Sequence, residues 1–201
     1  MSESINLVTY LDFGPSFAAT AAQGLRAWAA LVRSEDGADE ATLLSEINRP
    51  ERFALVGVWT ELALLKAHQA AGARLEPQTA TGLSAAPDER IGEVFCLGEA
   101  RPAGPRALYV LVHVDVVPFN LAAVGDWLKA QAETARSAPG ALRYEVWRQV
   151  DRPNHFTVIQ VWADDAAYAQ HVESAATRAF RANLLTVKGA LYDERLYHQV
   201  D

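Results

Sequence analysis

A single cysteine, Cys96, stands among the 201 residues, so an internal disulfide framework is excluded and a reducing compartment fits. Cys96 sits in the apolar run "IGEVFCLG" with no clear activating neighbour, which reads as a structural thiol and not a nucleophile. Basic residues are few: 18 Lys and Arg against 25 Asp and Glu leave a net charge of −7. That balance argues against a nucleic-acid or anionic-membrane surface. The apolar stretches "ALYVLVHVDVVPF" and "LAAVGDWLKAQA" are too short or too interrupted to cross a bilayer. "MSESINLVTYLDF" lacks the basic-then-apolar pattern of a secretory signal, so a soluble, cytoplasmic protein is expected. Dinucleotide-binding GxGxxG, the P-loop and the GxSxG elbow are missing. The five histidines show neither HxH nor HExxH spacing, so no metal site is expected.

What the chain has is a repeat. "RPERFALVGVWTELALLKAH" begins at Arg49, and "RPNHFTVIQVWADDAAYAQH" follows 103 residues later at Arg152. Arg, Pro, Phe, Val, Trp, Ala and His recur in the same order. Pro15 and Pro118 keep the same offset, each closing an alternating apolar run. Towards the ends of the halves "PDERIGEVF" echoes "YDERLYHQV", with the offset slipping to 105. The stretch "GEARPAGPR", rich in Gly, Pro and charge, reads as a linker. The division expected is therefore 1–98, a linker at 99–106, and 107–201.

Both halves carry the same order of elements. In the first, strand 5–13 precedes a helix at 16–33 with Phe17, Ala21, Leu25, Trp28 and Val32 on one stripe. A hairpin at 41–59, a helix at 61–72 and a strand at 90–97 complete it. In the second, strand 106–117 leads to a helix at 120–136, which the glycine of "APG" at 138–140 is expected to stop. "LRYEVWRQV", the turn "DRPN" and "FTVIQVW" make a hairpin. Asp164 is placed to cap the next helix, through Tyr168 and His171. "ATRAFRANLLTV" is a further short helix and "ALYDERLYHQV" a closing strand. The fold class is α+β: two tandem ferredoxin-like βαββαβ halves, whose largely apolar open sheet faces predict sheet-to-sheet packing as an intramolecular α/β-barrel.

The segment "PGALRYEVWRQVDRPNHFTVIQVWADDAAYAQHVES" resembles the antibiotic biosynthesis monooxygenase (ABM) family, within the dimeric α/β-barrel superfamily. The resemblance rests on Pro139-Gly140, Tyr144-Glu145, Phe156, Trp162-x-Asp164, Ala166 and His171, and covers most of 107–201. The first half keeps Phe53, Trp59, Ala63 and His68, with "RSEDGADEATLLSE" in place of the Pro-Gly segment. Family members usually pair two single-domain chains; a tandem chain would supply both halves itself. The resemblance implies oxidation of phenolic or quinol compounds with O₂ and no prosthetic group. Related members bind and degrade haem, and others have no established activity.

Within that reading Trp162, Tyr168 and His171 are the candidate catalytic group. Tyr168 and His171 are three residues apart on a helix, and Trp162 ends the strand before it. An imidazole of ordinary pKa, about 6.5, can take a phenolic proton, making a phenolate that passes an electron to O₂. The indole offers a stacking wall, and Tyr168 a donor to a developing oxyanion. The alternative is packing: Trp162 filling the core and His171 bonding locally. Trp59 and His68 are the first-half equivalents, with Leu65 in place of Tyr168. His113, alternating with Asp115 on its strand, and Tyr144 complete the candidate substrate-binding set; the reading favoured for His113 is a structural hydrogen-bonded His–Tyr or His–Asp pair.

The expected partners are a small aromatic or quinol-type molecule and O₂, with no nucleic acid and no membrane. The chain would be a monomeric pseudo-dimer or a homodimer of tandem chains. Two other readings use the same scaffold: a non-catalytic small-molecule binder, and a haem protein with His171 or His68 as axial ligand.

Overall fold

The computed structural model describes residues 4–71, 77–187, 189–190 and 192–200. In the first half β1 (Ile5–Asp12) leads to α1 (Ala18–Arg33), the hairpin β2 (Ala38–Glu46) and β3 (Arg49–Trp59), α2 (Leu62–Ala71), the short α3 (Pro77–Ala80) and β4 (Asp88–Cys96). The second half repeats this with β5 (Leu108–Asp115), α4 (Leu121–Arg136), β6 (Ala141–Gln149), β7 (His155–Trp162), α5 (Asp165–Glu173), α6 (Ala175–Leu185) and β8 (Asp193–Gln199). Within each half the strands follow one hydrogen-bonded order, β4-β1-β3-β2 in the first and β8-β5-β7-β6 in the second. Each half contributes the ferredoxin-like order, fourth strand, first, third, second. The repeated sequence is a repeated fold.

The chain divides into two units. One runs to Glu93 and takes in the C-terminal segment from His198; the other is Val94–Tyr197. The last residues of each half's closing strand thus belong with the other unit.

In the first unit the antiparallel pairing of β1 with β3 sets Leu7 opposite Gly57 and Leu11 opposite Phe53. The apolar stripe of α1, namely Ala21, Leu25, Trp28, Ala29 and Val32, packs with Leu11, Phe53, Leu55 and Trp59. The stripe begins later than expected. Pro15 opens a single 3-10 turn over Pro15–Phe17, and Phe17 is left exposed. The second half behaves alike: Pro118–Asn120 is a 3-10 turn, and α4 then buries Val124, Leu128, Ala132 and Ala135.

The helix ends show a device that the spacing conceals. Arg33, last in α1, donates to the Ala41 carbonyl at 2.8 Å; Arg136, last in α4, donates to the Tyr144 carbonyl at 2.9 Å. Three residues beyond each helix's capping serine, Gly37 and Gly140 take φ values of +78° and +76°. A Cβ on Gly37 would lie 2.3 Å from Leu64, and one on Gly140 2.5 Å from Ala167. Each glycine therefore serves a left-handed backbone and a close approach by the following helix. α4 ends at Arg136, the bound expected, and Gly140, four residues on, turns the chain into β6. "RSEDG" and "RSAPG" are thus equivalent segments, so the first half retains the turn glycine that its sequence had seemed to lose.

Candidate functional site

The second unit gathers its polar and aromatic side chains around α5, α6 and β8. Trp162 ends β7, and Asp164 caps α5 by accepting the Ala167 amide at 2.9 Å. That cap sets the first turn so that Tyr168 and His171 both face back towards Trp162. The indole and imidazole centroids are 4.4 Å apart with 32° between planes. Tyr168 lies 6.2 Å from Trp162 and 6.4 Å from His171; Tyr144 of β6 lies 6.1 Å from His171. The structure brings Trp162, Tyr168, His171 and Tyr144 into one cluster.

Its electrostatics differ from those of a free imidazole. Burial, followed by the charge of Arg181, lowers the His171 pKa from 6.5 to about 4. His171 is thus neutral at physiological pH and a weaker base than its unperturbed value implies. The Thr177 hydroxyl sits 3.4 Å from both ring nitrogens and itself accepts from Gln131 at 2.9 Å.

Arg181, Glu194 and Tyr192 join this cluster although their sequence spacing singles out none of them. The Tyr168 hydroxyl donates to Glu194 Oε1 at 2.5 Å, and Arg181 Nη2 donates to Glu194 Oε2 at 2.6 Å. Arg181 Nη2 also lies 3.4 Å from the Tyr168 oxygen, and its guanidinium stands 5.5 Å from the Tyr192 ring centroid. Burial works against the charge of Arg181, but Tyr192, Glu194 and Tyr168 around it outweigh that. Burial, then Glu194, raises the phenols of Tyr168 and Tyr192; burial raises that of Tyr144. All three stay protonated. The one advance signal was indirect: Glu194 lies in the Asp-Glu-Arg run shared by the two halves.

Arg181 is also the link to a pocket of about 220 Å³, lined by His113, Asp115, Arg181, Leu184, Leu185 and Tyr192 among others. His113 has Thr157 Oγ1 at 3.3 Å from its Nδ1. Asp115, two residues on, meets His155 at 3.4 Å and Asn154 at 3.3 Å. His155, first in β7, is half-buried. The pocket exceeds the ~150 Å³ of a cavity that holds benzene and falls short of the ~300–1,000 Å³ of larger ligand sites. One aromatic ring, or two fused, is the load it can carry. Trp162, Tyr168, His171 and Tyr144 do not line it; they form the layer that holds Arg181 from behind.

In the first unit the corresponding pair is Trp59 and His68, with centroids 5.2 Å apart. His68 Nδ1 donates to Glu35 Oε2 at 2.6 Å, and Leu65 replaces the tyrosine. This histidine is tied down by a carboxylate in an otherwise apolar setting. Cys96 is half-buried, and its sulfur lies 3.4 Å from Arg136 Nη2, a contact the apolar run around it did not suggest.

Haem does not fit these residues. His171 and His68 are 5% and 8% exposed, each packed at a tilt against a tryptophan, and neither lines the pocket. A macrocycle also exceeds the volume beside Arg181. Among the described residues no helix is long and apolar enough to cross a membrane.

Residues 107–183 match the family described as antibiotic biosynthesis monooxygenase. No curated protein matches the chain. Solved structures similar to it over nearly their whole length include a proposed monooxygenase of Fusobacterium nucleatum. That structure has 12% identity, a TM-score of 0.86, and coverage of 100% of this chain and 94% of the other. A proposed monooxygenase of Lactobacillus acidophilus NCFM has 15% identity and a TM-score of 0.77, covering 99% and 95%. An anthrone oxidase-like protein has 15% identity and a TM-score of 0.76, covering 100% and 92%. At such identities the likeness establishes a common fold.

Proposed function

We propose that the chain, whose residues 107–183 match the antibiotic biosynthesis monooxygenase family, is an O₂-using oxidoreductase acting on a small aromatic, phenolic or quinol compound, with no prosthetic group. The observation that carries this reading is the pocket in which the His113 imidazole and the Arg181 guanidinium meet apolar walls of Leu184 and Leu185 and the ring of Tyr192. An apolar pocket strips water from a phenol, and a cation at its wall favours the phenolate over the phenol. An electron-rich phenolate can deliver electrons to O₂ directly, so the substrate itself is the reductant.

In this reading Arg181 stabilises the developing oxyanion and His113 takes or relays the phenolic proton. Tyr168 supports Arg181 through Glu194, Trp162 packs against Tyr168 and His171, and His171 stays neutral, so it adds no competing charge. Tyr144 closes the same layer. The first-half pair Trp59 and His68 keeps its unit folded.

O₂ uptake by the purified, metal-stripped protein tests the proposal across a panel of one- and two-ring hydroquinones and phenols. Saturable uptake above autoxidation, falling about a hundredfold in Arg181→Leu or His113→Ala, supports it. A loss confined to His171→Ala would move the proton role to that residue. Ligand binding without uptake by any compound would replace the oxygenase reading by a binding one.

A further inference from the structure

The turn that follows the first strand is built alike in the two halves and finished differently. In the first unit the Gly14 amide donates to the Gly82 carbonyl at 3.0 Å, and the turn Pro15-Ser16-Phe17 follows. The Phe17 ring lies back on that junction, so that a Cβ on Gly82 would come within 2.8 Å of it. In the second unit Val117, 103 residues beyond Gly14, donates to the Val187 carbonyl at 3.1 Å ahead of Pro118-Phe119-Asn120. The aromatic now stands one place earlier, where the first half has Ser16, and it is left in solvent: Phe119 is 94% exposed.

That ring is the outer end of an apolar strip that begins in the pocket beside Arg181. Leu185, last in α6, lines the pocket and is 62% exposed. Two backbone bonds stitch the exit of α6 to the exit of β5: Gly189 donates to the Asp115 carbonyl at 2.7 Å, and Val117 to Val187. They place Val187, two residues after Leu185, beside Val117, which is 44% exposed and two residues before Phe119. Large apolar side chains left in water along one line make the kind of surface that marks a binding site. The pocket of about 220 Å³ is filled by one ring or two, so a ligand that covers the strip extends beyond its ring. The strip is too narrow for a stable protein interface, which takes roughly 800 Å² from each partner.

We propose that this strip is a subsite for an apolar chain carried by the substrate, whose ring sits in the pocket while an alkyl or isoprenoid tail runs over Leu185 and Val117 to Phe119. The inference rests on the reading of the pocket as a phenol site and narrows it to long-chain phenols and quinols. Ring and tail are held by separate groups: Arg181 and His113 line the pocket around the hydroxyl, and the strip adds affinity without touching the reacting atoms. A methylene taken fully out of water tightens binding about fourfold, and one laid on an open surface about twofold.

Anaerobic calorimetric titration of 4-ethylphenol and 4-octylphenol into the full chain tests this apart from turnover. The longer phenol should bind wild type about thirtyfold or more tighter than the shorter one. Phe119→Ser, which installs the first half's residue at an almost fully exposed place, should cut that advantage about fivefold or more and leave 4-ethylphenol binding as it is. Equal affinity for the two phenols, or an octyl advantage kept whole in Phe119→Ser, would overturn the subsite and leave the oxidoreductase reading standing. Failure of both phenols to bind would overturn the two together. A dimer of the chain that Phe119→Ser dissociates would give the strip to a second copy and overturn the subsite as well.

Discussion

The indole of Trp162 and the imidazole of His171 lie 4.4 Å apart with 32° between their planes, and no carboxylate is hydrogen-bonded to that imidazole among the described residues. The equivalent pair, Trp59 and His68, is 5.2 Å apart and held by Glu35. The position that carries Glu35 in the first half carries Ala138 in the second. Removing that carboxylate leaves His171 among tryptophan, two tyrosines and Thr177, where a positive charge is costly. One substitution between repeats separates a histidine held by a carboxylate from one without.

This sets the acid stability. The folded pKa of His171, about 4, lies below the unfolded 6.5, so the unfolded chain binds the proton first as pH falls. The contribution is complete above pH 6.5 and is lost as pH drops towards 4. Between pH 7.5 and 5 wild type should lose about 2 kcal/mol more than His171→Leu in urea unfolding. Equal losses would show that His171 titrates normally in the folded protein.

Arg181 and Glu194 are partly buried, with side chains 30% and 18% exposed, and their 2.6 Å contact holds the guanidinium that lines the pocket. Arg181→Leu strands the carboxylate and should cost about 1–3 kcal/mol of stability. The double variant Arg181→Leu/Glu194→Leu should regain part of that stability and none of the O₂ uptake. Thermal melts of both variants beside their uptake rates check this; a double variant no more stable than the single one would mean that the pair is not coupled.

Tyr168→Phe removes one hydroxyl donor from Glu194 and leaves the arginine in place. A cost of about 1 kcal/mol is expected. Uptake should fall less than in Arg181→Leu, because the cation at the pocket is kept. A greater loss than in Arg181→Leu would mark the Tyr168 hydroxyl as the group that meets the substrate.

Glu35→Ala tests the division of labour between the halves. It leaves the buried Nδ1 of His68 without its carboxylate and should lower stability by about 1–3 kcal/mol. O₂ uptake at a temperature where the variant stays folded should match wild type. A changed KM for the aromatic substrate would place a working site in the first half.

Gly140→Ala imposes a Cβ at a φ of +76° and within 2.5 Å of the Ala167 side chain. Both effects oppose the substitution, and a loss of about 2 kcal/mol or more is expected, read as a lowered Tm. Gly37→Ala should behave alike, since Leu64 stands in the same relation to it. An unchanged Tm in either variant would show that the turn relaxes without the glycine.

Legibility followed distance along the chain. Strand alternation and helical stripes located the elements to within a few residues, because periodicity is a local property. Prolines hid the 3-10 turns: Pro15 and Pro118 continue the helical pattern in sequence while delaying the helix itself. The repeat exposed Trp162 and His171, and the three-residue step on α5 added Tyr168. The equivalence of "RSEDG" with "RSAPG" went unread because only the glycine's backbone angle and the helix-end arginine reveal it.

The sequence alone determined two ferredoxin-like halves and the nearness of Trp162, Tyr168 and His171, since each follows from spacing within one hairpin and one helix. Only the tertiary structure decided what surrounds them. Arg181 comes from α6 and Glu194 from β8, and their meeting depends on where those elements settle on the sheet. The lowered pKa of His171 and the pocket beside Arg181 are of the same kind. Burial and unfilled volume are properties of many residues packed together, and no single stretch of the chain encodes them.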